Sequence, residues 1–240
     1  MAQTLTAPGH LPEGRRVYAI GDVHGCLDHL VALHYRIAAD LAARPVRDSV
    51  LIHVGDYVDR GPDSAGVLWL LSGAIAPQVT RRIDLMGNHE VMMLDTLVQR
   101  SKQAADVWMN NGGSATLASY GAPALAGTPI SDWRRAVPQD HLDWMGNLDL
   151  THREGDYLFV HAGIRPGKPI RQQNRNDVLW IREPFLSNRE QRDFVVVHGH
   201  TPTKEPEVFA NRIGIDTGAA MGGKLTCLVL EGDQMHFIQA

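Results

Sequence analysis

The chain lacks most of what would mark a secreted or membrane-spanning protein. It has only two cysteines, Cys26 and Cys227. They are too few and too far apart for a disulfide framework, and both read as reduced and buried. No apolar run reaches the roughly 18 residues that a membrane helix needs. The opening MAQTLTAPGHLPEG has no basic segment followed by an apolar one, so no signal peptide is expected and the cytoplasm is the expected compartment. Positive charge is not in excess: 23 Lys plus Arg stand against 27 Asp plus Glu, a formal net charge of -4. With no track of basic residues interleaved with aromatics, a nucleic-acid partner is not expected. A locally positive site for an anionic substrate remains compatible with that balance. There is no linker rich in Pro, Gly or Ser and no tandem repeat. A flexible lead-in over 1–14 and a single domain over 15–240 are therefore expected, with an ordinary hydrophobic fraction of 44%.

What the chain does have is histidine, 12 of them beside 23 Lys plus Arg, and their positions carry the information. The first hundred residues alternate short β-rich runs with amphipathic ones. Strands are expected at 16–20, 49–54 and 82–86, and helices at 27–41, from Pro62 or Asp63 onward, and from Asn88 or His89 to Arg100. In the first helix Leu30, Leu33, Ile37 and Leu41 recur at spacings of three and four. Such alternation argues for parallel strands joined by helical crossovers. Residues 101–150 read as a mostly helical insert, broken at Gly112 and Gly113, with no recognisable chemistry and a place at one edge of the site. From Tyr157 onward strands dominate, at 157–161, 193–197, 211–216, 224–230 and 234–238. The last two are joined by Glu231-Gly232-Asp233 as a hairpin, so this half is expected to be largely antiparallel.

Five of these strands end in a glycine or a ligand-type residue followed by a polar cluster: GDVHG at 21–25, GDYVDRG at 55–61, GNHE at 87–90, HAG at 161–163 and HGH at 198–200. Sites in α/β sheets form beyond the carboxyl ends of strands, so clusters far apart in sequence can converge there. Carboxylate oxygen, amide oxygen and imidazole nitrogen without sulfur suit Mn, Fe or Zn. One aspartate can bridge two such ions about 3.5–4 Å apart. Taken singly, each residue has a plainer reading. Asp22 or Asp56 could cap a helix, His53 sits inside a strand and reads as a packed histidine, and for His161 and His200 either reading stands. It is the coincidence of all the clusters at strand ends that points to one shared site.

In order, GDVHG, GDYVDRG, GNHE, HAG and the GHTP at 199–202 resemble the signature of the PPP-type, calcineurin-like metallophosphoesterase superfamily, with IDTG at 215–218 extending the likeness. The sequence looks most similar to bacterial serine/threonine protein phosphatases and symmetrical diadenosine tetraphosphate hydrolases. The resemblance implies an α/β fold of two mixed β-sheets packed as a sandwich and flanked by helices. It also implies two divalent metal ions, Mn2+ first, with Fe or Zn as alternatives. Asp22 and His24 match the ligands of the first ion, Asp56 the bridge, and Asn88, His161 and His200 the ligands of the second. His89 matches the general acid and Asp59 its partner. Arg60 matches one phosphate-binding arginine, and Asn88 also faces the phosphate. Arg182, in LWIREP, best fits the second arginine, while Arg165, Arg171 and Arg175 lie nearer His161 and compete. Asp216 and Gly218 would support the end of the site, and His198 would share a side with His200 if that segment is extended.

The activity so implied is dinuclear-metal-dependent hydrolysis of a phosphomonoester by direct attack of a metal-bridging hydroxide, with protein phosphoserine or phosphothreonine as substrate. The alternative is symmetrical hydrolysis of a bis(5'-nucleosyl)-tetraphosphate such as diadenosine tetraphosphate. A catalytically silent phosphate-binding module is a third reading. The expected partner is accordingly a phosphorylated protein or peptide, or a dinucleoside polyphosphate, with no membrane involved. The 101–150 insert and the basic 164–192 segment are where the two substrates would be told apart.

Overall fold

In the computed structural model, which describes residues 4–73, 77–125 and 127–240, the strand–helix alternation of the first hundred residues is present. A short β1 (Leu5–Thr6) precedes β2 (Arg15–Ile20), and α1 (Leu27–Ala43) leads to β3 (Asp48–His53). Next come α2 (Ser64–Ser72), β4 (Arg81–Asp84) and α3 (Asn88–Leu97). β2, β3 and β4 run parallel, as helical crossovers require. α1 buries Leu30, Leu33 and Ile37, the stripe its spacing predicts. α2 starts where Asp63 caps it, the carboxylate accepting the Gly66 N–H at 2.7 Å.

The insert is helical: α4 (Lys102–Trp108), α5 (Ser114–Ser119), α6 (Ile130–Ala136) and α7 (Gln139–Gly146). A wide π-type turn over Met109–Gly113 joins α4 to α5, and Gly112 takes φ 102 within it. Such turns recur at functional sites. The second half carries β5 (Thr151–Glu154), β6 (Tyr157–Val160), α8 (Arg175–Trp180), β7 (Val195–His198), β8 (Glu207–Val208) and β9 (Arg212–Gly214). The chain ends with β10 (Thr226–Glu231) and β11 (Gln234–Gln239).

These strands form two mixed sheets flanked by helices, ordered β1-β11-β10-β2-β3-β4 and β5-β6-β7-β9-β8. The second sheet departs from the largely antiparallel expectation. β6, β7 and β9 are parallel, and antiparallel pairing is confined to the edge strands β5 and β8. The reason is the long connection through α8, which returns β7 beside β6 in the same direction. The β10–β11 hairpin belongs to the first sheet, where β10 lies antiparallel to β2. The lead-in also differs from its composition. Residues 1–3 lie outside the described residues, but Leu5 and Thr6 pair with β11 and Leu11 is fully buried. One large apolar side chain with a place between the sheets outweighs the neighbouring Pro and Gly.

Strand alternation sorts the core into layers. Val17, Ala19, Val50 and Ile52 point from the first sheet toward Tyr157, Phe159, Val195 and Val197 of the second, forming the centre of the sandwich. The residues between them, Tyr18, Ile20 and Leu51, face the helices on the outside of the first sheet. Leu158, Val160 and Val196 face Val178, Leu179 and Phe185 on the outside of the second. Cys26 and Cys227 are free and buried. Among the described residues no helix is long and apolar enough to cross a membrane. The outcome that matters for the site is directional: the parallel strands of each sheet bring their carboxyl ends, and the polar clusters that follow them, to one rim.

Candidate metal centre

The loops at that rim are tightly constrained. Among the described residues six non-glycine residues have positive φ, and five of them are His24, Asp56, Asp59, Arg60 and His200. Each such residue costs of order 1–3 kcal/mol, so the surrounding fold must hold them there. Gly55, at φ 104, permits the close pass of the GDYVDRG and GNHE loops; a Cβ there would lie 2.6 Å from the Gly87 nitrogen. At Gly199 a Cβ would strike the Asp22 carboxylate. The glycines of the clusters therefore set how closely the loops meet.

The predicted residues converge. Asp22, His24, Asp56, Asn88, His161 and His200 are all buried. Two groups each have ligand atoms within 4.8 Å of one another: His24, Asp56 and His89, and then Asp56, His161 and His200. Asp56 is common to both, with Oδ2 3.4 Å from His24 Nε2 and Oδ1 3.4 Å from His161 Nε2. Asn88 Oδ1 lies 2.9 Å from His161 Nε2 and 3.0 Å from His200 Nδ1. Asp22 is in neither group; its carboxylate accepts the His200 N–H at 3.0 Å, and the first group includes His89, matched in the sequence to the general acid. The ring nitrogens are sorted in advance. His24 Nδ1 donates to the Val58 carbonyl at 2.7 Å and His161 Nδ1 to the Val54 carbonyl at 3.0 Å, which leaves each Nε2 lone pair facing the cluster. This donor set of nitrogen and oxygen, buried and free of sulfur, fits a pair of first-row divalent ions.

His89 stands apart from the other histidines of the centre in its partner. Its Nδ1 donates to Asp59 Oδ2 at 2.7 Å, and its Nε2 faces Asp56 Oδ2 at 3.9 Å. Asp59 is itself clamped: Trp108 Nε1 donates to both carboxylate oxygens at 2.9 and 3.0 Å, and Thr116 Oγ1 donates at 2.6 Å. Both residues come from the helical insert, read in the sequence as carrying no recognisable chemistry. Glu90 is the other support that the sequence did not reveal. Fully buried, it accepts the backbone N–H of Asp56 (2.9 Å), Tyr57 (2.7 Å), Val58 (3.2 Å) and Gly87 (2.9 Å), tying the two loops together.

The clusters open into a cavity of about 580 Å³ lined by Asp56, Arg60, Asn88 and His200 on one side. Trp180, Ile181, Arg182, Arg165, Asn176 and Asn111 line the rest, together with the acidic Asp177 and Glu183. Arg60 and Arg182 are exposed, and Arg60 Nη1 reaches within 2.6 Å of His24 Nε2. Of the competing arginines, Arg165 lines the cavity but donates to Asp177 at 2.7 Å. Arg175 turns to the Met86 sulfur, and neither it nor Arg171 lines the cavity. His198 does not join the clusters. Its ring packs edge-on against Phe185, and its Nε2 meets Arg212 Nη1 at 3.3 Å. The positive φ of His200, 65°, breaks the extended alternation that would have put the two side chains together. His53 is a packed histidine, bonded to Asp84 and His34. Asp216 is buried beside Asp22 and accepts the Gly218 N–H at 3.0 Å.

Burial pushes the His24 and His200 imidazoles down to about 3 and lowers His161 as well. They are thus neutral at neutral pH, the form that binds metal. Burial raises the Asp56 carboxyl, but the surrounding histidines, His161 first, outweigh it and hold the group below the usual carboxylate range. For His89 burial is outweighed by Asp56 and by the Asp59 bond, and its basicity rises. A pH dependence follows for the metal-free protein. His24, His34, His198 and His200 are each held near 3 against an ordinary 6.5. Between those values the unfolded chain binds protons that the native chain refuses, so these four histidines take stability away as pH falls below 6.5. Burial acts in the opposite sense on carboxyls of the centre: it raises Glu90 to about 8, Asp216 to about 6 and Asp22 well above its usual range. Each fully discharged histidine adds a slope of up to about 1.4 kcal/mol per pH unit. Substitution isolates the histidine part. Between pH 7.5 and pH 5.5, two settings chosen about one unit either side of the ordinary histidine value, the urea midpoint of metal-free wild type should fall relative to that of His34→Gln. Midpoints that move in parallel would mean that the His34 imidazole is free to charge.

The profile of the family described as calcineurin-like phosphoesterase matches residues 15–222, and the chain belongs to that family. It is 33% identical to serine/threonine-protein phosphatase 1 of Salmonella typhimurium, over 88% of this chain and 90% of the relative. It is 29% identical to the asymmetrical bis(5'-nucleosyl)-tetraphosphatase PrpE of Bacillus subtilis, over 86% and 87%. A crystal structure described as a putative diadenosine tetraphosphatase superposes with a TM-score of 0.66 at 22% identity, covering 94% of this chain and 93% of that one. These findings correct one expectation. The tetraphosphatase relatives in Bacillus subtilis and Halalkalibacterium halodurans are named as asymmetrical, so the likeness to symmetrical hydrolases does not stand.

Proposed function

We propose that this chain is a dinuclear-metal-dependent phosphohydrolase acting on a dinucleoside polyphosphate, with asymmetric cleavage of the phosphate chain. The observation that carries the reading is the cavity. At about 580 Å³ it is larger than one phosphoryl group needs, and Arg60 and Arg182 stand on its walls beside Asp56, Asn88 and His200. A run of phosphates in that space would meet the guanidinium groups of Arg60 and Arg182 as well as the metal centre. The tetraphosphatase relatives support the same reading.

In this reading Asp22 and His24 would hold one ion and Asn88, His161 and His200 the other, with Asp56, common to both groups of ligand atoms, serving each. Mn2+ is the first choice of metal, with Fe or Zn as alternatives. Two such ions supply an acidified water and neutralise phosphoryl oxygens. Arg60 and Arg182 orient the phosphate, since a guanidinium fork pairs two oxygens at once. His89, whose basicity Asp56 and Asp59 raise against its burial, is the group placed to give a proton to the departing oxygen. The protein phosphoserine or phosphothreonine reading is supported by the 33% identity to a serine/threonine phosphatase, and the same machinery would serve it.

The test is product analysis. With diadenosine tetraphosphate and Mn2+, equal amounts of ATP and AMP are expected, at a kcat/KM above that for a phosphoserine peptide. ADP as sole product would overturn the asymmetric reading, and a phosphopeptide preference would establish the protein phosphatase reading.

A further inference from the structure

We propose that Trp180 and Asn176 form a nucleobase subsite beside the metal centre, the indole providing a stacking face and the amide a hydrogen-bonding edge. The proposal deepens the dinucleoside polyphosphate reading and takes its ligand class from it.

The observation behind it is an apolar ring left in the open while the apolar residues just before it in the helix are covered. Val178 and Leu179 of α8 are 3% and 1% exposed, while Trp180 is 40% exposed. Of the exposed large apolar side chains among the described residues, Trp180 is the one that lines the central cavity. It stands edge-to-face with the His200 imidazole, with ring centroids 6.4 Å apart and planes at 82°. Asn176 precedes Trp180 by one helical turn and so shares its face, and both line the same cavity. A side-chain amide offers two donors and an acceptor, the mixture that a base edge presents in return. Arg182, two positions on, lines the same cavity, and its charge is felt at His200 of the metal centre, so a phosphate attached to the stacked nucleoside would find a cation there.

The chemistry of the walls favours a base over an apolar peptide side chain. Besides the indole, the outer cavity presents Asn111, Asn176, Arg165 and Glu183, and Arg165 is already paired with Asp177. A flat, polar-edged ring finds partners for both its face and its rim here. An aliphatic side chain finds the indole face and Ile181 but leaves the amides and charges of the walls unmatched. Base–aromatic stacking corresponds to roughly 5- to 150-fold in affinity.

The experiment uses the full chain loaded with Mn2+ and compares wild type, Trp180→Ala, Trp180→Phe and Asn176→Ala. AMP and ribose 5-phosphate are titrated as competitors of p-nitrophenyl phosphate hydrolysis, and kcat/KM is measured for diadenosine tetraphosphate and for p-nitrophenyl phosphate. Wild type is expected to prefer AMP over ribose 5-phosphate by at least about tenfold. Trp180→Ala is expected to close that gap and to lower the ratio of the two kcat/KM values by about tenfold, while Trp180→Phe keeps most of both. Asn176→Ala narrows the AMP preference without abolishing it. Equal inhibition by AMP and ribose 5-phosphate in wild type would overturn the subsite, as would an AMP preference that survives in Trp180→Ala. An AMP preference lost in Trp180→Ala, in a protein that leaves diadenosine tetraphosphate intact, would support the subsite and reject the substrate reading. Turnover of the dinucleotide with no AMP preference would keep the substrate reading and reject the subsite.

Discussion

In Asp56→Asn protein, metal analysis at neutral pH is expected to find both ion positions largely empty. Turnover of any phosphate ester is expected to fall by about three orders of magnitude or more, the worth of several kcal/mol of charge stabilisation. The magnitude follows from the sharing. Asp56 is the residue common to both groups of ligand atoms, so its replacement weakens two sites at once. The substitution keeps shape and removes charge. An asparagine oxygen can still accept the His89 N–H that Asp56 Oδ1 receives at 3.0 Å, and Glu90 still holds the loop through the backbone. The variant should therefore fold, with circular dichroism like that of wild type, and fail in metal content. Full occupancy of both positions together with full activity would remove Asp56 from the bridging position.

His89→Asn is expected to keep its metal and to lose turnover in a way that depends on the leaving group. With a phosphoserine peptide the departing alkoxide needs a proton, and kcat should fall by about 10²–10⁴-fold. With p-nitrophenyl phosphate or a phosphoanhydride the departing group bears its own negative charge well, so the loss should be smaller. The structural basis is the chain of bonds from the insert to the ring: Trp108 and Thr116 fix Asp59, and Asp59 fixes His89 Nδ1. That arrangement leaves His89 Nε2 directed at the centre, 3.9 Å from Asp56 Oδ2. Equal losses on good and poor leaving groups would show that His89 positions something else.

Much of this site was legible in the sequence because its chemistry is local. Asp22, Asp56 and Asn88 each follow a glycine just past a strand, and a parallel sheet brings such ends to one rim. The supporting residues were not legible, because their partners are remote. Trp108 reaches Asp59 across 49 positions and Thr116 across 57, and nothing in WMNNGGSATLASYG marks either as a donor. A weak signal was available: a tryptophan in an apolar helix must find an acceptor for its indole N–H when buried. Glu90 stands inside a recognised motif, but its four bonds go to backbone N–H groups whose direction depends on the turn at Gly55. The two-residue strands β1 and β8 are too short to leave a periodic pattern. The second sheet was misjudged because the hairpin of β10 and β11 suggested antiparallel pairing throughout, whereas that hairpin completes the first sheet. His198 and His200, which an extended segment would put on one side, are turned apart by the left-handed backbone of His200 itself.

Asp56 is proposed to be shared by two cations at the rim of the sheets. Anomalous scattering from crystals of this chain grown with manganese tests it directly. Two peaks about 3.5–4 Å apart are predicted, one beside Asp22 and His24 and the other beside Asn88, His161 and His200, with the Asp56 carboxylate between them. A single peak, or none, with His161 and His200 turned away from any ion, would contradict it.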